Sequence, residues 1–394
     1  MLAALMFGLV LGWFLTRPDA HPALETVADR VTVANPGPWG RLEYVPISIE
    51  CPEELLPMQA FKTKVTHWIL KGYTTEKFLQ LLDSAGVTGD LREEMQSPEV
   101  LHVGDDGLAI TPTSNIILNL PPEARKKIYT TLAGFPENGL SLIFVQAKTL
   151  DERFAGSGVT PSTVELLRKL SCEYGRYLVF SDVPSIFARI PTYTERMHFL
   201  KALTRQSTLI VRLHVTGDSN IEELMRYWGK IRWAKDTRPL LESLARIPGG
   251  ARLDIAHLMP PAAAGLLYSF PLPPNPLDGA PVRKDCHYTA FNFFRDPPDA
   301  RFANPEFITQ TLRDDYIPVE SDPRYGDLVL FLKPDGQLIH SVVFLADNVV
   351  YTKNGDTPMH PWMLSTVQDL VDQYSFQVPP DQALEVKYFR NKNY

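Results

Sequence analysis

Lys284-Asp285-Cys286-His287-Tyr288-Thr289-Ala290-Phe291-Asn292-Phe293-Phe294, then Tyr325-Gly326-Asp327-Leu328-Val329-Leu330-Phe331, then His340: these pieces, in this order, decide how the chain is read. Ala290, Phe293 and Phe294 follow Cys286 at helical spacing. That predicts a helix with Cys286 in its first turn and an aromatic face turned inward. Pro297-Pro298 is expected to end it. Asp327–Leu332 reads as a strand, Lys333-Pro334-Asp335-Gly336 as a turn, and Gln337–Leu345 as the next strand, which carries His340. A first-turn cysteine feels unpaired backbone amides that favour thiolate over thiol. A strand holds an imidazole in a fixed orientation. The set therefore points to a thiol nucleophile, Cys286, served by an imidazole base, His340.

The residue that orients the imidazole depends on the turn after Leu345. If Ala346-Asp347-Asn348 forms a three-residue loop, Thr352 and Asn354 share the face of His340. A two-residue loop puts Tyr351 and Lys353 there instead. We expect the first. An asparagine accepts from the ring N–H and selects the useful tautomer.

Over roughly residues 270–394 these features resemble the NlpC/P60 family of papain-like cysteine peptidases. The matching positions are Asp285-Cys286 opening a helix, Gly326-Asp327-Leu328-Val329 opening a strand, and His340 on the next strand. The family's third polar residue falls on Thr352, with Asn354 two further along. The chain departs from the family at His287-Tyr288, where Ser-Gly is usual, and it shows no clear upstream tyrosine of the kind that helps the family's oxyanion site. The resemblance implies an α+β, papain-like C-terminal domain that hydrolyses an amide or peptide bond through Cys286 and His340. Its substrate would be a peptide linkage, for example in cell-wall peptidoglycan, and its chemistry calls for no metal or organic cofactor. His287 is expected at the rim of the site, and Trp362 in His360-Pro361-Trp362 is a candidate groove residue, although ordinary packing also accounts for it. Two other readings stand beside the hydrolase: a catalytically inactive envelope scaffold of the same shape, and an acyltransferase using the same cysteine.

The bulk composition bounds these readings. The chain has 394 residues, 44% hydrophobic and 22% charged, as expected of a folded protein of two or three domains. A net charge of −7 without a lysine- or arginine-rich run excludes a nucleic-acid partner of the usual basic kind. Three cysteines make no disulfide scaffold. Cys51 and Cys172 read as buried free thiols, with pairing open to them only if the protein is exported. Cys286, His287, His340 and His360 lack the close paired spacing of a zinc site.

Met1–Leu15 is apolar on every side, with the first charge at Arg17. That length suits a signal-peptide core better than a spanning helix of ~20 residues. Residues 1–24 are accordingly expected to direct export or to anchor the protein, and 25–40 to form a linker. Export places it in the cell envelope, touching membrane only through that segment. Alternating and helical patterns divide the rest into an α/β domain over 41–150, a second α/β region over 151–268, and the papain-like domain over 269–394. No period repeats clearly enough to indicate a solenoid.

Overall fold

The apolar–polar alternation of Arg41–Ile49 forms strand β2, preceded by a short β1 (Thr32–Val33). The computed structural model describes residues 31–394 apart from 57, 59–65, 139–142, 148–149, 175–176, 230–233, 273–281, 283, 379–381 and 394. The apolar segment Met1–Leu15 lies outside them. Among the described residues no helix is long and apolar enough to cross a membrane. The fold is mixed α/β, with its strands in several antiparallel sheets.

After β2 the chain builds two small units. The first contains β3 (Trp68–Lys71), β4 (Leu101–Gly104) and β5 (Gly107–Ile110), in spatial order β3-β5-β4. The second contains β6 (Ile143–Gln146), β7 (Cys172–Tyr174) and β8 (Tyr177–Phe180), in order β6-β8-β7. In each, two helices separate the first strand from the hairpin and two more follow it. This is an internal repeat, which the sequence reading did not find. Its clearest trace in the sequence is one short stretch. Asn115-Ile116-Ile117-Leu118-Asn119-Leu120-Pro121 corresponds to Ser185-Ile186-Phe187-Ala188-Arg189-Ile190-Pro191, with Ile116, Leu120, Ile186 and Ile190 all in the core.

A buried ion pair joins the two units. Arg125 of the first donates to Asp182 of the second at 2.7 Å, and the two side chains are 1% and 3% exposed. Tyr129 donates to the other carboxylate oxygen at 2.5 Å, and Arg125 also donates to the carbonyl of Ile117.

The chain then returns to the first sheet through β9 (Gln206–Val215) and β10 (Ala251–Asp254), giving the order β1-β2-β9-β10. The last part forms a six-stranded antiparallel sheet from β11 (Tyr316–Val319), β12 (Leu328–Leu332), β13 (Leu338–Ala346), β14 (Val349–Lys353), β15 (Trp362–Thr366) and β16 (Glu385–Asn391). Its order is β11-β16-β12-β13-β14-β15. One face, through Leu330, Val343 and Tyr351, packs on helix α1 (Cys286–Phe291) and shares its core with Leu42, Val211 and Leu253 of the first sheet. The other face, through Phe331, Val342 and Val350, packs on helix α2 (Val367–Tyr374). The sheets also meet at Thr208, whose hydroxyl donates to the carbonyl of Leu364 and accepts from its amide.

The Gly-Asp strand start is explained by packing. Gly326 has φ +91°, and a Cβ there would lie 2.4 Å from the ring of Phe294. Asp327 is buried, receives two hydrogen bonds from Arg390 of β16, and so pins that strand beside β12. Helix α1 is shorter than its apolar spacing predicts. It stops at Phe291 rather than at the Pro297-Pro298 pair. Asn292 explains this: its side chain donates to the carbonyls of Tyr288 and Asp299 and accepts from the Asp299 amide, turning the chain into a loop.

Removing one partner of a buried ion pair leaves the other charge uncompensated. Arg125→Met is therefore expected to cost about 3–5 kcal/mol of stability, measured by denaturant unfolding. An unchanged midpoint would show that the pair does not hold the two units together.

Candidate active site

The site is built where two strands part. β13 stays paired with β12 from Leu328↔Val343 to Leu332↔Leu338, and β14 with β15 through Lys353↔Trp362. The ladder between β13 and β14 themselves ends at Val343↔Tyr351. Beyond that pair a seam opens between His340–Val342 and Thr352–Asn354.

A β-bulge sets which side chains meet across it. The turn is the two-residue Asp347-Asn348, not the expected three-residue loop, and Asp347 takes φ +54°. A two-residue turn alone puts Thr352 on the face away from His340. The register shifts by one between Phe344 and Ala346, however, with Leu345 as the extra residue. The shift restores Thr352 to the His340 face. Tyr227, from the region before the last sheet, donates to the Leu345 carbonyl at 2.8 Å, and Tyr44 donates to Asp347 at 2.7 Å.

His340 is fully buried. Its Nε2 lies 3.1 Å from the hydroxyl of Thr352, and that hydroxyl donates to Oδ1 of Asn354 at 3.1 Å. With its own proton committed, Thr352 accepts, so Nε2 carries the ring hydrogen. Nδ1 is left with its lone pair and has no hydrogen-bond partner. Asn354 donates onward to Gln373 at 3.2 Å. Burial, with a smaller contribution from His287, holds the imidazole well below its ordinary pKa, so it is neutral.

Cys286 is 5% exposed. Asp285 caps α1 by accepting from the Tyr288 amide at 2.9 Å. The amides of Ser341, His287 and Cys286 point at the sulfur and favour its thiolate, the first of them a β13 amide at the seam. Burial, helped by Asp285, outweighs them and pushes the thiol up to about 12. The pair is therefore a neutral thiol and a neutral imidazole, without a direct hydrogen bond between them. α1 lies on the opposite face of the sheet from the His340 ring, and its sulfur meets the Ser341 amide at the seam.

Tyr374, which the sequence reading missed, closes the site. Its ring stacks on His340 at 4.3 Å between centroids, with the planes 20° apart. Burial first, and the Cys286 sulfur second, raise its hydroxyl well above the ordinary range. Tyr374 and Gln373 end α2, and their sequence carries only a Thr366-capped amphipathic helix, a signal shared by many structural helices. Tyr177 of the second small unit donates to the Asp369 carbonyl in this helix at 3.3 Å.

The remaining candidates fall as follows. His287 Nδ1 meets the Ser341 hydroxyl at 2.8 Å, against the sheet. Trp362 packs in the core, as its alternative reading had it: it is 3% exposed and its indole N–H donates to Thr289 of α1 at 3.1 Å. Lys353 points away from His340, and Asn354 joins the Thr352 network. Ring Nδ1 of His360 meets the carbonyl of Asn354. Cys51 and Cys172 are free and buried, their thiols pushed up to about 11 by burial. Among the described residues no group of three or more His, Cys, Asp or Glu side chains converges as metal ligands. A shallow pocket lined by Phe291, Phe294, Tyr316 and Asn391 opens at the far end of α1, away from the thiol.

Comparison with protein-family models, curated proteins and solved structures finds no match to the chain.

Tyr374 covers the His340 ring, so removing it should open this side of the seam to solvent. Tyr374→Ala is expected to raise the rate of Cys286 alkylation by iodoacetamide several-fold while leaving Cys51 and Cys172 unchanged. Peptide mapping by mass spectrometry reads this, and an equal rate in the two proteins would show that Tyr374 is not the barrier.

Proposed function

We propose that the protein is a cysteine hydrolase of the papain-like, NlpC/P60-like kind, held closed in this conformation, that cleaves an amide or peptide bond. One observation carries the reading: the His340–Thr352–Asn354 chain commits Nε2 as donor and leaves Nδ1 as a buried, unpartnered base, next in sequence to Ser341, whose amide meets the Cys286 sulfur. Buried ring nitrogens are normally satisfied; His214 Nδ1 shares this feature, and it is the order of Cys286, His340 and Thr352 that sets His340 apart.

The reaction follows from these atoms. When substrate displaces the Tyr374 cover, the Cys286 S–H proton passes to His340 Nδ1 and the sulfur attacks the carbonyl carbon. Because the resting groups are neutral, the thiolate forms at attack rather than standing as an ion pair beforehand. That differs from the pre-formed pair common to activated cysteines. The Ser341 and His287 amides are donors for the negative charge as it develops. His340 then gives its Nδ1 proton to the leaving amine. Water, deprotonated by the same nitrogen, attacks the thioester carbonyl and releases the acid, and the proton returns to sulfur. From the family resemblance the substrate is a peptide linkage, with cell-wall peptidoglycan peptides the first to assay, and the apolar Met1–Leu15 suits an exported, envelope-located enzyme.

A second reading, an inactive scaffold of this shape, is favoured by the burial of both groups and the lack of a direct contact between them. Incubation with peptidoglycan-derived peptides separates the two. The hydrolase reading expects Cys286→Ala to abolish cleavage and His340→Ala to lower kcat by ~10²–10⁴-fold, with a covalent adduct on Cys286 alone. Cleavage by Cys286→Ala, or no selective labelling of Cys286 even in Tyr374→Ala, supports the scaffold. Adding amine acceptors and analysing products distinguishes hydrolysis from acyl transfer.

A further inference from the structure

Helix α1 bridges the seam. Ser341 and His340 are neighbours on β13 and so take opposite faces of the sheet. Ser341 is fully buried and shares the α1 face with Val343 and Leu345. Its hydroxyl meets Nδ1 of His287, the residue after Cys286, at 2.8 Å. Two residues further along the helix, Thr289 accepts from the indole of Trp362 at 3.1 Å. Trp362 lies opposite Lys353 in the β14–β15 ladder. One side-chain bond thus ties the helix to the β13 side of the seam, and the other ties it to the β14–β15 side.

The first tie falls on the residue whose backbone faces the thiol. The ladder between β13 and β14 ends at Val343↔Tyr351, and beyond it the Ser341 amide turns to the Cys286 sulfur. On this stretch β13 keeps its ladder only with β12, where Leu330 lies opposite Ser341. A backbone donor stabilises developing charge best while its direction is fixed, because a dipole that must reorient during the reaction loses that advantage. The His287 ring supplies a constraint where the ladder has stopped: it grips the hydroxyl of the very residue that carries the amide. The contact also gives that buried hydroxyl a polar partner, without which its burial would be costly. When the sulfur bonds a carbonyl carbon, the negative charge appears on the oxygen one bond beyond, beside the same amide.

We propose that His287 is a positioning residue: through the Ser341 hydroxyl it fixes the Ser341 amide as a donor to the oxyanion that forms when Cys286 attacks a carbonyl. The inference rests on the reading of Cys286 as a nucleophile. It gives the two histidines separate tasks. His340 moves the proton on one face of the sheet, and His287 holds the oxyanion donor in place on the other.

Two reagents separate this role from general support of the fold. p-Nitrophenyl acetate acetylates a thiol through a tetrahedral oxyanion: the S–C bond forms, p-nitrophenolate leaves, and the thiol proton passes to the base. Iodoacetamide alkylates the same sulfur at a saturated carbon, where no oxyanion forms. Peptide mapping reads both rates at Cys286, in the full chain and in its Tyr374→Ala variant. His287→Leu is expected to lower acetylation ~10-fold or more relative to alkylation. His287→Asn, which can keep a polar atom at the Nδ1 position, should stay near the wild-type ratio. Ser341→Ala, which breaks the same contact, replaces the leucine variant if that one does not fold, with circular dichroism as the check. An unchanged ratio of the two rates overturns the role of His287 and leaves Cys286 as nucleophile. Cys286 that takes neither label faster than Cys51 and Cys172, with or without Tyr374, overturns both.

Discussion

Leu345 stands out of register in β13, and the site depends on that one extra residue. Side chains on a strand alternate faces, so a shift of one residue moves every later partner to the other side. With the bulge, Thr352 meets His340 and Lys353 meets α1. Without it the two exchange faces, and the imidazole has a lysine where it needs an acceptor. A bulge leaves backbone groups outside the ladder. Tyr227 satisfies the Leu345 carbonyl, while Tyr44 and Asn35 hold Asp347 in the turn beside it. All three come from the region before the last sheet, so that region helps to set the geometry at the seam.

The seam has a second consequence. Where β13 and β14 part, backbone amides lose their ladder partners, and the Ser341 amide turns to the Cys286 sulfur. The same gap brings Thr352, Asn354 and Gln373 into a hydrogen-bonded chain that ends on α2. Tyr374 at the end of that helix covers the ring. Burial decides the protonation of both groups here: three amide donors favour thiolate, yet the thiol stays up at about 12. Desolvation outweighs local dipoles in a dry site.

The upstream units are coupled to this machinery through few, identifiable contacts. Arg125 and Asp182 fasten the two repeats to each other, and Tyr177 of the second reaches the helix that carries Tyr374. Movement of that repeat therefore has a physical route to the cover over His340. The repeat itself was hidden in the sequence because its copies share little beyond a short stretch around the core positions Ile116 and Ile186, and each copy spans some 70 residues with different loops. Apolar residues interchange freely in a core as long as volume and pattern are kept, so shape outlasts identity.

Sequence alone determined the order of local structure around the site. Asp285 as a cap, Cys286 at a helix start, Gly326-Asp327 before a strand and His340 on the next strand are all short-range features, set by capping, turn chemistry and period-two alternation. Thr352 and Asn354 were expected on the His340 face, but through a three-residue loop. The two-residue turn and the compensating bulge were not legible, because the bulge's carbonyl is satisfied by Tyr227, 118 residues away in the chain. The early end of α1, the burial of Trp362, the stacking of Tyr374 on His340 and the neutral state of the thiol were likewise decided by tertiary structure. Each depends on what a distant segment packs against, and on how far that packing excludes water.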